Sequence, residues 1–296
     1  MREDAGLLFA SVREAGLLAR ELQGKVSYAR KADGSPVSDA DLRVLEFLKR
    51  ELMGKRPSYG WLSEESPDDE ARLSCRHLWL LDPIDGTRSF ISGGSDWCIA
   101  VALIEDGRPV LGAIYNPVRD QFHSAIAGEG AMLNGKSIHV GDGALKDARV
   151  VGSKKALNLL EPRGVKAELA GELPLQLRLA YVAEGRFDAA ISIGPKNDWD
   201  LAAGDLIVAE LLPAHGTAVL VPASDADRRP VVAAHVGDQR AVQQPCPAQV
   251  VGPDPEVRVP GLTRLDPVAV PLLRLGRRDE ELHLHLLELA RAEDEV

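Results

Sequence analysis

Between residues 3 and 23 the apolar positions Leu8, Val12, Ala15, Leu18 and Leu22 recur at steps of three and four, which predicts a helix with one buried stripe. A turn-forming stretch follows, Lys31-Ala32-Asp33-Gly34-Ser35-Pro36. Ser38 with Asp41 three residues on has the spacing of a capping box, and Leu42, Leu45, Leu48 and Leu52 continue it as a second helix. The two helices are expected to pack as a pair.

From His77 onward the pattern changes. His77 to Leu81 is a short apolar run, and Trp97 to Ile104, Val110 to Tyr115 and Gln121 to Ala127 are strand-length segments separated by turn residues. Glu105-Asp106-Gly107-Arg108 reads as a hairpin turn between two of them. Helices followed by a mostly antiparallel sheet give an α+β order. A second half starts near residue 147, with a strand at Arg149 to Gly152, a helix from Leu175 to Glu184 that stops at Gly185, a strand at Phe187 to Ile193 and a helix at Leu201 to Leu211. We divide the chain into an α+β subdomain, 1–146, with most of the candidate ligands, and an α/β subdomain, 147–296, atypical after about 212. Past Leu212 the texture turns to Pro, Ala, Val and Arg, with weak periodicity until a charged helix at Arg278 to Glu293.

The chain has 296 residues, 45% of them hydrophobic, enough for a real core. A formal charge of -10 argues against a nucleic-acid polymer or an anionic membrane as partner, because the long-range field would repel both. A small phosphorylated ligand stays compatible, since bound cations reverse the local field. No run approaches the roughly 18 apolar residues of a membrane span, and Met1-Arg2-Glu3-Asp4 is acidic where a secretory leader would be basic then apolar, so the reading is cytoplasmic. Cys75, Cys98 and Cys246 lack metal-like spacing and read as reduced thiols.

Chemistry concentrates in Leu80-Leu81-Asp82-Pro83-Ile84-Asp85-Gly86-Thr87, where a strand delivers two carboxylates into a turn. Mg²⁺ takes hard oxygen ligands, and two such carboxylates can flank a pair of ions about 4 Å apart. Gly86 would let backbone approach a ligand closely, and if Thr87 and Arg88 open a helix their amides would face a phosphate. Each acid also has a plain alternative. Asp-Pro-x-Asp-Gly makes surface turns, Glu64 in Trp61-Leu62-Ser63-Glu64-Glu65-Ser66 suits a solvated loop, and Asp200 and Asp41 suit helix caps.

The combination points elsewhere. Asp82-x-x-Asp85-Gly86-Thr87, with Ser63-Glu64-Glu65-Ser66 upstream and Trp199-Asp200-x-Ala202-Ala203-Gly204 downstream, resembles the inositol monophosphatase superfamily of lithium-sensitive, Mg²⁺-dependent phosphomonoesterases over about residues 5 to 211. The segments Lys31 to Val37, Trp61 to Glu65 and Asn197 to Asp200 look most like its CysQ branch, the 3′(2′),5′-bisphosphate nucleotidases acting on adenosine 3′,5′-bisphosphate. The resemblance implies a layered αβαβα sandwich of the inositol monophosphatase and fructose-1,6-bisphosphatase type. It implies two or three Mg²⁺ ions on Glu64, Asp82, Asp85, Asp200 and the Ile84 carbonyl, inhibition by Li⁺, and a homodimer. It also implies water activation by Glu64 with Thr87 held by Asp41, and phosphate binding at Asp85, Gly86 and Thr87. Inositol 1-phosphate, or a sugar or histidinol phosphate, is the alternative substrate. The reading from another class is a non-catalytic phosphometabolite-binding protein, or a defective product with an altered C-terminus.

Trp199, Phe90 and Trp97 are candidates for base stacking but are read as core, Lys154 and Lys196 as solvated, and His123 and His139 as strand residues without catalytic duty. Two departures from the family pattern stand out. Glu172-Leu173-Pro174-Leu175 occupies a place where relatives often have Gly-Ser. Past Ala209-Glu210-Leu211 the usual continuation is missing, and Ala241-Val242-Gln243-Gln244-Pro245 back-translates in a shifted frame to a family-like string, the basis for expecting a frameshift near 212. Loss of the native continuation is expected to leave apolar surface exposed and a strand edge unpaired.

Overall fold

The computed structural model describes residues 1–140, 149–154, 157, 167–169, 173–192, 196–211, 218–220 and 231–234. Helix α1 spans Arg2–Leu22 and α2 spans Asp39–Lys55. In α1 the stripe of Leu8, Val12 and Ala15 is buried, Ala5 and Ala19 extend it, and Leu18 and Leu22 lie at its half-buried margin. In α2 the stripe runs through Val44, Leu45, Leu48 and Leu52, while Leu42 is 44% exposed. Leu42 is out of phase with the face that Asp41, Val44 and Leu48 define at steps of three and four. The capping box forms: the Ser38 amide donates to Asp41 Oδ2 at 2.8 Å and the Asp41 amide to Ser38 Oγ at 3.4 Å. Ahead of it, β1 (Tyr28–Arg30) and β2 (Pro36–Ser38) make a short antiparallel hairpin closed by Lys31 N–H on Ser35 O at 2.8 Å.

Seven strands form the large sheet in chain order: β3 (Gly60–Ser63), β4 (His77–Asp85), β5 (Cys98–Glu105), β6 (Arg108–Asn116), β7 (Gln121–Ile126), β8 (Gly130–Leu133) and β9 (Lys136–Ser137). β3 and β4 pair parallel and every later pair is antiparallel. The predicted hairpin forms, with Glu105 opposite Arg108. β8 and β9 are too short and polar to have shown as strands in the hydrophobic pattern.

Alternation sends the sheet's two faces into separate cores. Trp79, Leu81, Ile99, Val101, Leu103, Leu111 and Ala113 face α1 and α2, whereas Leu80, Cys98, Ala100, Ala102 and Ile114 face a second helical layer. After the short α3 (Thr87–Ile91), that layer is α4 (Leu175–Ala183) and α5 (Ala202–Ala209). Gly112 of β6 is the contact point: a Cβ there would stand 3.0 Å from the Ala203 carbonyl oxygen and 3.3 Å from its Cα. Because backbone cannot yield as a flexible side chain does, Gly112→Ala is expected to destabilise the fold by about 1–3 kcal/mol. A thermal melt of the variant that overlays wild type would show α5 free to move away.

On the far side of α4 and α5 lies a five-stranded sheet in the order β11 (Ala167–Leu169), β10 (Val150–Gly152), β12 (Ala189–Ser192), β14 (Val231–Ala234), β13 (Ala218–Leu220). The layers are therefore α, β, α, β, those of the αβαβα sandwich; the helix expected at Arg278 to Glu293 lies outside the described residues, as do Ile193, Glu172, Cys246 and the segment 241–245. The unpaired strand edge expected from the altered continuation is corrected. β14 pairs antiparallel with β12 from Ala189↔Ala234 to Ser192↔Val231, so residues beyond 212 supply the strand that covers that edge. Val231 to Ala234 is short, and only the sheet beside it reveals it as a strand.

Candidate active site

A strict two-residue period would turn Asp82 and Asp85 to opposite faces of β4. The sheet prevents this with one extra residue. Asp82 pairs with Ala100 and Asp85 with Cys98, three steps along β4 against two along β5. Ala100 and Cys98 both face α4 and α5, so the bulge brings both carboxylates to that side and sends Ile84 into the α1/α2 core. Asp82 Oδ1 accepts the Ile84 amide at 3.0 Å, and Asp85 Oδ2 accepts the Gln176 amide at the start of α4 at 3.0 Å. Gly86 ends the strand at φ 97°, where a Cβ would be 2.7 Å from the Asp96 carbonyl oxygen, so only glycine fits before α3 begins at Thr87.

Three other segments approach these two carboxylates. Parallel pairing sets Ser63 opposite Leu81, and the Glu64 amide donates to the Leu81 carbonyl at 3.3 Å, which puts Glu64 beside Asp82. Asp200 closes the 3₁₀ turn Asp198–Asp200, which packs on β4. Asp200 is not the N-cap of a helix starting at Leu201: its carboxylate turns back to accept the Asn197 amide at 2.9 Å, and α5 opens at Ala202. Asp41 is buried under the hairpin, and the Thr87 hydroxyl lies 3.4 Å from Asp41 Oδ1 and 3.1 Å from the Ile84 carbonyl.

The acids repel one another. Burial, then repulsion from Glu64, Asp85, Asp200 and Asp41, holds the Asp82 carboxyl well above the usual carboxylate range. Burial and Asp200 push Asp85 up to about 7, against the pull of the Gln176 amide. Asp200 and Asp41 are raised as well, chiefly by burial, with Glu64 adding to both. The acids lie within one another's field without closing on a point: among the described residues, no three acidic, His or Cys side chains stand close enough to hold an ion. Lys31 supplies the nearest positive charge, 2.7 Å from Glu64 and 2.6 Å from Glu65. Burial alone would lower the Lys31 pKa, but its hydrogen bonds to Glu64 and Glu65 raise it, so it stays an ammonium. Hard oxygen donors that repel one another, Asp82 and Asp41 buried and Glu64, Asp85 and Asp200 half-buried, are the donor chemistry that suits Mg²⁺.

The model of the inositol monophosphatase family matches residues 2–212. The chain belongs to that family. Inositol-1-monophosphatase of Rhizobium meliloti (strain 1021) is 37% identical over 192 residues, 61% of this chain and 71% of that protein. The 3′(2′),5′-bisphosphate nucleotidase CysQ of Aggregatibacter actinomycetemcomitans is 34% identical over 204 residues, 64% of this chain and 74% of that one. Among solved structures, a LiCl-soaked inhibitory complex of staphylococcal inositol monophosphatase-1 superposes with a TM-score of 0.69 at 25% identity, covering 79% of this chain and 90% of that one. This inositol monophosphatase family member is a phosphatase of the phosphoric-monoester class, and enzymes of the family use Mg²⁺.

The remaining candidates in the family member sort by burial. Phe90 and Trp97 are buried and meet edge to face at 5.0 Å between ring centres, so they are core. Trp199 is half-buried against the core between sheet and helices. Lys154 is exposed, while Lys196 stands near enough to Asp200 to oppose its upward shift. His123 is a buried strand residue of β7, bonded to Glu184 at 2.9 Å, but His139 is exposed and falls just past β9 rather than in a strand. Sequence reasoning gave no role to Lys31, Gln176 or Arg178, although all three touch or face the acids. Lys31 lies in a turn motif and the other two on a helix, so nothing local marks them. Among the described residues no helix is long and apolar enough to cross a membrane.

Proposed function

We propose that this chain hydrolyses a small phosphate monoester at the cluster of Glu64, Asp82, Asp85 and Asp200, with adenosine 3′,5′-bisphosphate as its preferred substrate. The observation that carries the reading is the extra residue in β4 that brings Asp82 and Asp85 to one face, within the field of Glu64 and Asp200. In this reading the four carboxylates and the Ile84 carbonyl hold two or three Mg²⁺ ions. When bound, the ions neutralise phosphate charge, make water more acidic and stabilise the leaving oxygen.

The chain's own residues do the rest. Ser38 donates to Asp41 from both its amide and its hydroxyl, fixing that carboxylate 3.4 Å from Thr87 Oγ1. A proton leaving the attacking water would pass through Thr87 to Asp41, with Glu64 helping to activate that water. Burial raises the Asp41 pKa, which suits a group that must keep that proton. Asp85, Gly86 and Thr87 frame the phosphate, with the Gly86 and Thr87 amides as donors.

The nucleotide is favoured by Arg178, whose guanidinium donates to the Leu173 carbonyl at 2.8 Å and faces Asp85. A permanent cation beside the site suits a second phosphate, which inositol 1-phosphate lacks. The inositol reading is supported by the Rhizobium relative, 37% identical. A phosphate-release panel with Mg²⁺ should show adenosine 3′,5′-bisphosphate turned over faster than inositol 1-phosphate, fructose 1,6-bisphosphate or histidinol phosphate, and added Li⁺ should slow it. Faster release from inositol 1-phosphate would reverse the substrate order, and release from none would overturn the enzyme reading.

A further inference from the structure

Two of the acids, Asp85 and Asp200, come from segments far apart in the chain, and one fully buried residue, Gln176, links those segments. The main-chain amide of Gln176 donates to Asp85 Oδ2 at 3.0 Å. Its side-chain Nε2 donates to the carbonyl of Trp199, the residue before Asp200, at 2.9 Å. Its Oε1 accepts the Gly204 amide at 2.8 Å, in the first turn of α5. Gln176 is 0% exposed, so each of these bonds is made away from competing water.

The packing around the side chain is close. A Cβ on Gly204 would stand 2.6 Å from Leu179 Cδ1 and 2.9 Å from Gln176 Oε1, so α4 and α5 meet at this point with nothing between them. The first residues of α4 have no side-chain cap of their own, since Pro174 is the N-cap, which makes Asp85 the group that receives the Gln176 amide. Gln176 therefore reaches in two directions: its main-chain amide holds Asp85 at the bulged end of β4, and its side chain holds the Trp199 carbonyl in the turn that carries Asp200.

We infer that Gln176 is a positioning residue that sets the distance between the Asp85 and Asp200 carboxylates and so the affinity of the site for divalent metal. This rests on the proposal that those two acids share an ion. Rotation of the 3₁₀ turn by even a small angle would move Asp200 relative to Asp85, and hard-cation sites tolerate little error in ligand position. Gln176 acts through the two acids and touches no reacting atom.

The test uses Gln176→Ala and Gln176→Met in the full chain. Gln176→Met removes the bonds to the Trp199 carbonyl and the Gly204 amide at similar volume; Gln176→Ala removes them and leaves room for water at the Gly204 amide, and neither adds a charge beside the acids. Mg²⁺ titrated calorimetrically into each protein without substrate is expected to bind about tenfold more weakly, in keeping with the loss of a group that orients metal ligands. The Mg²⁺ concentration for half-maximal phosphate release should rise in parallel, while the rate at saturating Mg²⁺ falls much less. A residue with a purely structural role would lower the melting temperature and leave the metal affinity of the folded molecules unchanged, and that result overturns the inference. If Gln176→Met does not fold, Gln176→Ala carries the test alone. Asp82→Asn, titrated alongside, separates the two claims: undiminished Mg²⁺ binding in that variant defeats the metal-site reading itself, whereas weakened binding there with wild-type binding in both Gln176 variants defeats only the positioning role.

Discussion

Asp82→Asn is expected to lower phosphate release about a thousandfold or more while making the metal-free protein more stable. The first effect follows from removing one of the four carboxylates proposed to hold the metal, where several kcal/mol of transition-state stabilisation are at stake and each 1.36 kcal/mol is about tenfold in rate. The second follows from the burial of Asp82, 2% exposed, among four other acids that all raise its pKa. An asparagine there keeps an oxygen for the Ile84 amide and carries no charge to repel Glu64, Asp85 or Asp200. A gain of about 1–3 kcal/mol is the scale for relieving an uncompensated buried polar group. Kinetics at saturating Mg²⁺ and melts in chelator measure the two effects. Near-wild-type turnover would remove Asp82 from the mechanism, and a lower melting temperature in chelator would show that its charge is already compensated.

The stability of the metal-free protein should fall as pH rises from about 5 to 8, and Mg²⁺ should abolish the fall. Asp85 sits at about 7 in the fold against 3.8 in an unfolded chain, so the native state binds the extra proton between those values. A carboxyl raised in this way gives stability that is fully present below the unfolded value and is lost as pH climbs through the folded one. For Asp85 alone the loss between pH 5 and 8 amounts to about 2–3 kcal/mol, a drop of roughly 5–10 °C in melting temperature for a domain of this size. Asp82, Asp200 and Asp41 shift in the same direction and steepen the slope. Saturating Mg²⁺ favours the ionised form and flattens it. A melting temperature that does not depend on pH in chelator would mean the acids are not crowded in solution.

The elements that were legible along the chain are those whose signal is local. The helix over Arg2–Leu22, the capping box at Ser38 and Asp41 and the hairpin between Glu105 and Arg108 each depend on residues a few positions apart. Errors came where a neighbour from elsewhere decides. Leu42 fits a run of leucines yet lies off the buried face, because Val44 and Asp41 define the phase against β4 and the hairpin. β14 has too few residues to announce itself and exists as the partner of β12. Asp200 looks like a helix cap and instead folds back on Asn197 inside a 3₁₀ turn.

By itself the sequence determined the identity of the acids and their likeness to one family, because Asp82, Asp85, Gly86 and Thr87 are consecutive enough to form a motif and Glu64 and Asp200 recur at family spacing. Where those acids stand relative to one another was decided only by the tertiary structure. A β-strand turns alternate residues to opposite faces, and it is the pairing of β4 with β5, with one residue extra, that brings Asp82 and Asp85 to the same side. Parallel pairing with β3 sets Glu64 beside Asp82, and Gln176 of α4 bonds the Trp199 carbonyl and the Gly204 amide on either side of Asp200. Strand register and helix packing are relations between distant segments, and no local pattern of residues encodes them.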